Sequence, residues 1–533
     1  MPVTPTGPDP RRWRALAVLA LVQLVLILDA TAVNVALPSL RRGLGFSESG
    51  LAWVVNGYAL TFGGLLLLGG RLADIAGRRR VFLAGLALFT FASATAGLAG
   101  SPATLVASRL AQGAGAAFAG PAALSLVALL FTDPRERVRA LSLWGGIGAF
   151  GGMLGVVLSG VLSELASWRW VFLINLPVAA AVFVLAPRLI PAGRERGGGR
   201  LDLPGAVLVT AAVSLIVFAL LGKGDTAWTS PALLGRLGAG VLVLTVFALW
   251  QARAPHPLAP LRFFRSRTRA TAYLAGGVIL ATIITMFFLM TLYMQQVLGY
   301  SSMRTGFAYV PFGLTVLAGV AATRRLIPRF GVRRVMTTGL LLAATGILLL
   351  SGVPTGGHYA TDLLPGLLVL PLGTSSVIVS STVAAVHSIT PAETGLASGV
   401  LTAAQQIGAA IGVSAFASLA LARSHELAVT GATPAAAATS GYNLALGVLA
   451  AVLALTAIVA FLGLRTRNTL AARRRLARYR AALDAGADPA VVTQWINEAQ
   501  RDKQAAQKKL DEGPAVPRKM AITARCATDP ADH

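Results

Sequence analysis

About fourteen apolar stretches, most of them roughly 18 to 25 residues long, follow one another from Ala15 to Leu464. Each is long enough to cross a hydrocarbon core about 30 Å thick. Backbone N–H and C=O groups cannot be left unpaired in lipid, so apolar runs of this length must be helices. The chain therefore reads as an all-α polytopic membrane protein. An ionisable residue at the centre of such a helix costs roughly 2.5–3.5 kcal/mol, which makes the few interior charges the places to look for chemistry.

In a soluble chain a formal net charge of +25 would suggest a nucleic-acid partner, so the placement of the 46 Lys and Arg residues decides what it means. Assigning successive connecting segments to alternate sides puts 24 of them on the side of the N-terminus and only seven on the opposite side. Fourteen more lie in the tail after Leu464, and Arg109 falls inside a span. This asymmetry predicts cytoplasmic termini, an even number of crossings and a multi-pass protein of the cell (plasma) membrane. The charge reports topology, and no nucleic-acid partner is expected. Met1 to Arg14 followed by an apolar run has the look of a secretory signal, but Asp29 and Asn34 interrupt the run and no small-residue cleavage site follows, so it reads as an uncleaved first span. The one cysteine, Cys526, allows neither an intramolecular disulfide nor a Cys-based metal site.

The segments Arg71-Leu72-Ala73-Asp74-Ile75-Ala76-Gly77-Arg78-Arg79-Arg80-Val81 and Arg325-Leu326-Ile327-Pro328-Arg329-Phe330-Gly331-Val332-Arg333-Arg334-Val335 share Leu, Gly, two Arg and Val at an offset of 254 residues. Each follows the second span of a group, as two parallel halves of six spans would produce. The predicted plan is a cytoplasmic N-terminus (1–14), a six-helix bundle (15–187), two inserted helices (203–251), a second six-helix bundle (270–464) and a basic cytoplasmic tail (465–533) whose arginines meet membrane lipids.

Asp29, some fifteen residues into the first span, is the one carboxylate well inside a predicted membrane helix. Desolvation disfavours its charged form and a nearby cation favours it, so this carboxyl suits proton coupling or cation binding. Thr31 and Asn34 are the neighbours that could otherwise hold it by hydrogen bonds. Arg109, about six residues into the fourth span, lies at the same depth, with Gln112 and Gly113 on its helix face. Gly70, Asp74, Gly77 and Arg78 form a tight turn suited to a gating latch between two spans. Gly145, Gly148, Gly152, Gly155 and Ser159 place small groups on one stripe of the fifth span, predicting close helix packing, and Gly408 and Gly412 form a shorter stripe. Met286, Met290, Tyr293 and Met294 recur at helical spacing and suit either a packed core or an adaptable cavity wall. Asn34, Trp53, Asn56, Gln112, Gln405 and Gln406 are further cavity-lining candidates. No nucleophile elbow, phosphate loop or metal-ligand cluster is present in the sequence, so no enzyme activity, metal or cofactor is expected.

These residues resemble the major facilitator superfamily, and within it the 14-span drug:proton antiporters that include bacterial multidrug and antibiotic efflux pumps. Leu28 to Pro38 is similar to that family's first-span signature, Gly70 to Arg80 to its loop motif, and Leu105 to Gly115 to its fourth-span motif. Trp168 to Pro177 resembles a further segment of the 14-span branch. The resemblance implies two six-helix bundles with two extra central helices around a cavity, exporting small amphipathic drugs or antibiotics in exchange for protons by alternating access; a monomer is expected as the working unit. It also implies that Asp29 is the proton or cationic-substrate carboxylate and Arg109 its partner, with Asp74 and Arg78 as a gating latch. One departure stands out. Where the family's fifth span reads like G-P-x-x-G-G, this chain has Gly155-Val156-Val157-Leu158-Ser159-Gly160, which removes a bend at Val156. Movement of a lipid or endogenous metabolite on the same fold, and a transport-inactive sensor or scaffold, are the other readings the sequence allows.

Overall fold

The structure is a computed structural model that describes residues 11–464, apart from 132, 191–201, 222–229, 256, 388 and 390–392. The expected N-terminal extension, the 194–200 linker and the basic tail lie wholly or largely outside the described residues. The first six crossings are α1 (Arg11–Leu44), α2 (Glu48–Ala76), α3 (Arg78–Gly97), α4 (Pro102–Leu130), α5 (Pro134–Leu165) and α6 (Asn175–Leu189). Two more, α7 (Leu203–Leu221) and α8 (Pro231–Arg253), precede α9 (Arg267–Leu292), which ends in a π-helical turn over Tyr293–Val297. Then come the short α10 (Ser302–Ala308), α11 (Val310–Leu350), α12 (Leu364–Ala385), α13 (Thr394–Val429) and α14 (Pro434–Gly463).

Twelve of these stretches are long and apolar enough to cross a membrane. One of the twelve, 302–350, folds back on itself, and α5 adds a further crossing, which brings the number to fourteen. The fold-back is visible in the packing. In a straight helix Gly319 and Gly339 would stand about 30 Å apart. Here they press on adjacent residues, Ser375 and Ser376 of α12. The break is Gly331 (φ 80°, ψ 158°), a backbone conformation that L side chains rarely adopt. Gly77 (φ 98°, ψ 123°) breaks the chain between α2 and α3 in the same way, 254 residues earlier. The internal repeat is thus one of geometry as well as sequence.

The starts of α1, α3, α9 and α13 and the ends of α2, α12 and α14 share one side of the bundle, called here the terminal side. The opposite face is the far side. Leu67, late in α2, packs on Gly399, early in α13, which sets the direction of that antiparallel pair. The two halves meet along α1 and α9, α2 and α13, and α5 with α10 and α11. Each pair carries a hydrogen bond: Gln295 Nε2 donates to Val35 O at 3.0 Å, Asn56 Nδ2 to Ser414 Oγ at 2.9 Å, and Met303 N to Glu164 Oε2 at 2.7 Å. All three lie on the far-side portion of the bundle.

The two inserted helices form a hairpin whose α7 leans on α2 and α13, while α8 is largely exposed. Asp202 fastens the hairpin on the terminal side. Its carboxylate caps α7 through Gly205 N at 2.9 Å and accepts from Trp250 Nε1 at 2.7 Å and Gln251 Nε2 at 2.6 Å on α8.

Candidate functional site

Asp29 and Arg109 meet. Arg109 Nη1 donates to Asp29 Oδ2 at 2.5 Å, and the two side chains are 0% and 1% exposed. The depth that puts them together follows from helix direction, since α1 and α4 run antiparallel and each carries its charge into the far half of its span. Gln112, one turn after Arg109, accepts from Arg109 Nη1 at 2.9 Å and donates through Nε2 to Asp29 Oδ1 at 3.0 Å. Asn175 Nδ2 reaches the same Oδ1 at 3.0 Å from α6. Ser93 of α3 accepts from both amides, at 2.8 Å from Gln112 and 3.2 Å from Asn175.

The guanidinium is held equally closely. Arg109 Nε donates to Val54 O at 2.9 Å, and the guanidinium carbon stands 4.6 Å from the centre of the Tyr58 ring and 6.0 Å from that of Phe172, within reach of cation–π attraction. The carboxylate therefore has one charged donor and two neutral amide donors, and among the described residues none of these bonds reaches the second half of the chain. Every member comes from α1, α2, α3, α4 or α6, or from the short turn Trp170–Leu173 before α6.

Thr31 and Asn34, expected beside Asp29, bond instead to their own helix: Thr31 Oγ1 to Ile27 O and Leu28 O, and Asn34 Nδ2 to Thr31 O at 3.2 Å. Asn34 Oδ1 is buried without a hydrogen-bond partner. Ser93, Asn175 and Tyr58 are the members that reading the sequence did not single out. Neutral Ser and Tyr residues are common in spans and carry no signal of their own, whereas Asn175, an amide deep in an apolar run, did carry one.

Asp74 and Arg78 face each other across Gly77, Arg78 Nη2 reaching Asp74 Oδ1 at 3.3 Å, and both are partly exposed. Gly70 lies against Pro121 of α4. The small-residue stripe of α5 packs on α1. A Cβ at Gly155 would collide with Thr31 Oγ1, Gly152 faces Ile27 and Thr31, and Ser159 Oγ donates to Ala32 O at 2.5 Å. The surroundings of Gly145 and Gly148 lie outside the described residues. α5 runs as one helix through Val156, whose carbonyl packs on Gly306 of α10, and Gly408 and Gly412 seat α13 on Gly277 and Ala281 of α9.

Met286, Met290, Tyr293 and Met294 are all 0% exposed and belong to the packed core rather than to a cavity wall. Their spacing marks a helix face, and that face turns inward onto neighbouring helices; Tyr293 also donates to Pro354 O at 2.6 Å. Trp53 lines an apolar groove on the far side, Asn56 holds Ser414, Gln405 packs on Gly276 and Gln406 on Gly63.

Two repeated halves of six helices, a buried ion pair confined to one of them and no strand among the described residues are the architecture of a multi-pass membrane transporter for small molecules. Known proteins agree. The profile described as Major Facilitator Superfamily matches residues 19–413. The puromycin resistance protein of Streptomyces alboniger is 39% identical over 87% of this chain and 94% of its own length. The lincomycin resistance protein of Streptomyces lincolnensis is 38% identical over 76% of this chain and 84% of its own. The cephamycin export protein of Amycolatopsis lactamdurans is 37% identical over 75% and 83%. A crystal structure of an auto-inhibited peptide transporter of the POT family superposes with a TM-score of 0.64 at 16% identity, covering 86% of this chain and 98% of that one. The chain belongs to the Major Facilitator Superfamily.

Proposed function

We propose that this transporter exports amphipathic small molecules, antibiotics among them, from the cytoplasm in exchange for protons, by exposing the space between its halves to one side of the membrane at a time. The observation that carries the reading is the Asp29 carboxylate, fully buried and held by a single cation. A proton on Oδ2 removes the charge that attracts Arg109, while Arg109 keeps Val54 O and Gln112 Oε1. Loading and unloading that proton would change how tightly α1 is tied to α4, and α1 also packs on α5 and α9. Asp74 and Arg78, at the turn between α2 and α3, serve in this reading as a latch that remakes itself in each cycle.

The excess of Lys and Arg on the terminal side supports termini in the cytoplasm of a plasma-membrane protein, so that the far side faces outward. The names of the relatives favour antibiotics as cargo. The halves 15–187 and 270–464 act as the moving bodies, residues 203–251 as an insert and 465–533 as a lipid-facing tail, with a monomer as the working unit. Energetically the exchange is adequate. One charge moved through 100 mV releases about 2.3 kcal/mol, which sustains roughly a fifty-fold gradient of a neutral substrate.

The test is proton-driven uptake of a fluorescent cationic dye into inverted vesicles, wild type against Asp29→Asn at matched expression. Uptake that collapses both with the proton gradient and with Asp29→Asn is the expected result. Robust gradient-dependent uptake by the variant would remove Asp29 from coupling.

A further inference from the structure

The far side carries two cavities that adjoin each other. One, of about 990 Å³, lies between the end of α1, the end of α5 and the π-helical turn after α9, and its wall is polar: Arg41, Arg42, Glu164, Gln296 and Tyr300. The other, of about 630 Å³, is an apolar groove between α2, the start of α4 and the end of α7, walled by Phe46, Trp53, Val106 and Phe218. Gly45 and Phe46, in the turn between α1 and α2, line both. Gly45 is exposed and has a positive φ of 72°, while the buried Phe46 side chain stands between the two cavities and contributes to both walls.

The charge of the polar cavity is unusual for its side. The sequence gives the far side only seven Lys and Arg residues, yet Arg41 and Arg42 both line this cavity. A third, Arg304, lies with its guanidinium carbon 3.8 Å from the centre of the Tyr300 ring at the cavity wall. Glu164, in the same wall, accepts from Met303 N at 2.7 Å and keeps its negative charge, so the arginines outnumber the carboxylates there. A pair of arginines in the last turn of a helix complements the helix dipole, and here the same pair also lines an open cleft of about 990 Å³, large enough for a drug-sized head group.

We propose that the two cavities form one bipartite far-side site for an amphipathic molecule with an acidic head, carboxylate or phosphate, the head held by Arg41 and Arg42 and the apolar body laid along Trp53 and Phe218. The site deepens the export reading by naming a class of cargo and the place it occupies on the way out. It also gives the inserted helices a task, because α7 supplies Phe218 as the outer wall of the apolar part. An arginine binds a carboxylate or phosphate through paired donors whatever molecule bears it. The head can therefore belong to an exported solute or to an anionic lipid of the outer leaflet.

The experiment is equilibrium binding, without a proton gradient, of a dansyl-labelled undecanoic acid and of its methyl ester to the purified full chain in phosphatidylcholine nanodiscs. Arg41→Gln/Arg42→Gln should weaken the acid about tenfold and leave the ester within about twofold, as loss of a charge-assisted contact requires. Phe218→Ala should weaken both probes about tenfold. Should the double variant fail to fold, the exposed Arg42→Gln alone carries the comparison, with at least a threefold loss for the acid only. Equal losses for acid and ester in the arginine variants, or unchanged binding in the arginine variants or in Phe218→Ala, would overturn the proposal. Adding phosphatidylglycerol to the nanodiscs separates the sources: competition with the acid assigns the head to lipid, and undisturbed binding assigns it to a solute. Since no gradient is applied, failure of proton coupling at Asp29 would leave these ratios standing, and failure here would leave dye uptake untouched.

Discussion

Removing one partner of the Asp29–Arg109 pair, and then both, measures how far the two residues act as a unit. Asp29→Leu leaves a guanidinium that cannot discharge itself by losing a proton, with Val54 O, Gln112 Oε1 and the Tyr58 and Phe172 rings for company. Breaking a buried pair in this way costs about 3–5 kcal/mol. Arg109→Leu leaves a carboxyl that can take up a proton and that keeps the amide donors of Gln112 and Asn175. Its cost falls at the low end, about 3 kcal/mol. Replacing both with leucine removes both charges and is close to neutral as far as the pair is concerned. The amides of Gln112 and Asn175 then lose an acceptor, at about 1–3 kcal/mol. The double variant, at about 1–3 kcal/mol, should accordingly be more stable than Asp29→Leu, and against singles of about 3–5 and 3 kcal/mol this is a coupling of about 3–7 kcal/mol between the sites. Unfolding of the purified chain by titration with dodecyl sulfate in mixed micelles, followed by tryptophan fluorescence, gives all three values on one scale. Vesicle transport should be absent from all three variants. Additive costs, with a coupling below about 0.5 kcal/mol, or dye uptake by the stable double variant, would refute the argument that the pair is a functional unit.

Gly77→Ala and Gly331→Ala each force a side chain into a positive φ and should cost about 1–2 kcal/mol apiece. Both combine a positive φ with an extended ψ, a region essentially restricted to glycine, so Asn should recover little of what Ala loses; the same unfolding titration checks it. At the far-side rim, the Ser301 hydroxyl and the Met303 amide hold the Glu164 carboxyl below the usual carboxylate range. This contact therefore supports closure at neutral pH and is lost as the pH falls through the lowered value. Hydrogen exchange at the start of α10, corrected for intrinsic rates, should quicken on strong acidification in the wild type and be insensitive to it in Glu164→Gln.

How much of this was legible in the residues depended on how loudly each one speaks in an apolar run. A carboxylate and a guanidinium within spans are costly enough to announce themselves, and equal depth sufficed to pair Asp29 with Arg109. Gly77 and Gly331 were legible through the repeated loop around them. Ser93 and Tyr58 were not, because a hydroxyl in a membrane helix usually bonds its own backbone, as Thr90 and Thr282 do here. Met290 and Met294 show the other limit. Periodicity tells which residues share a helix face, but whether that face meets a cavity or another helix depends on packing partners far away in the chain, such as the α14 and α1 residues in the same core.

Every partner of Asp29 rides on the first half of the molecule, while the lobe-to-lobe hydrogen bonds involve other residues. When the halves rock against each other, every group bonded to this carboxyl moves with it, so rocking alters its access to water while its own proton alters the tie between α1 and α4. On the proposed coupling, the first half holds every group bonded to the proton-carrying carboxyl. A chimera that joins residues of this half to the second half of a resistance protein with different cargo should keep the original proton dependence while taking on the donor's choice of substrate.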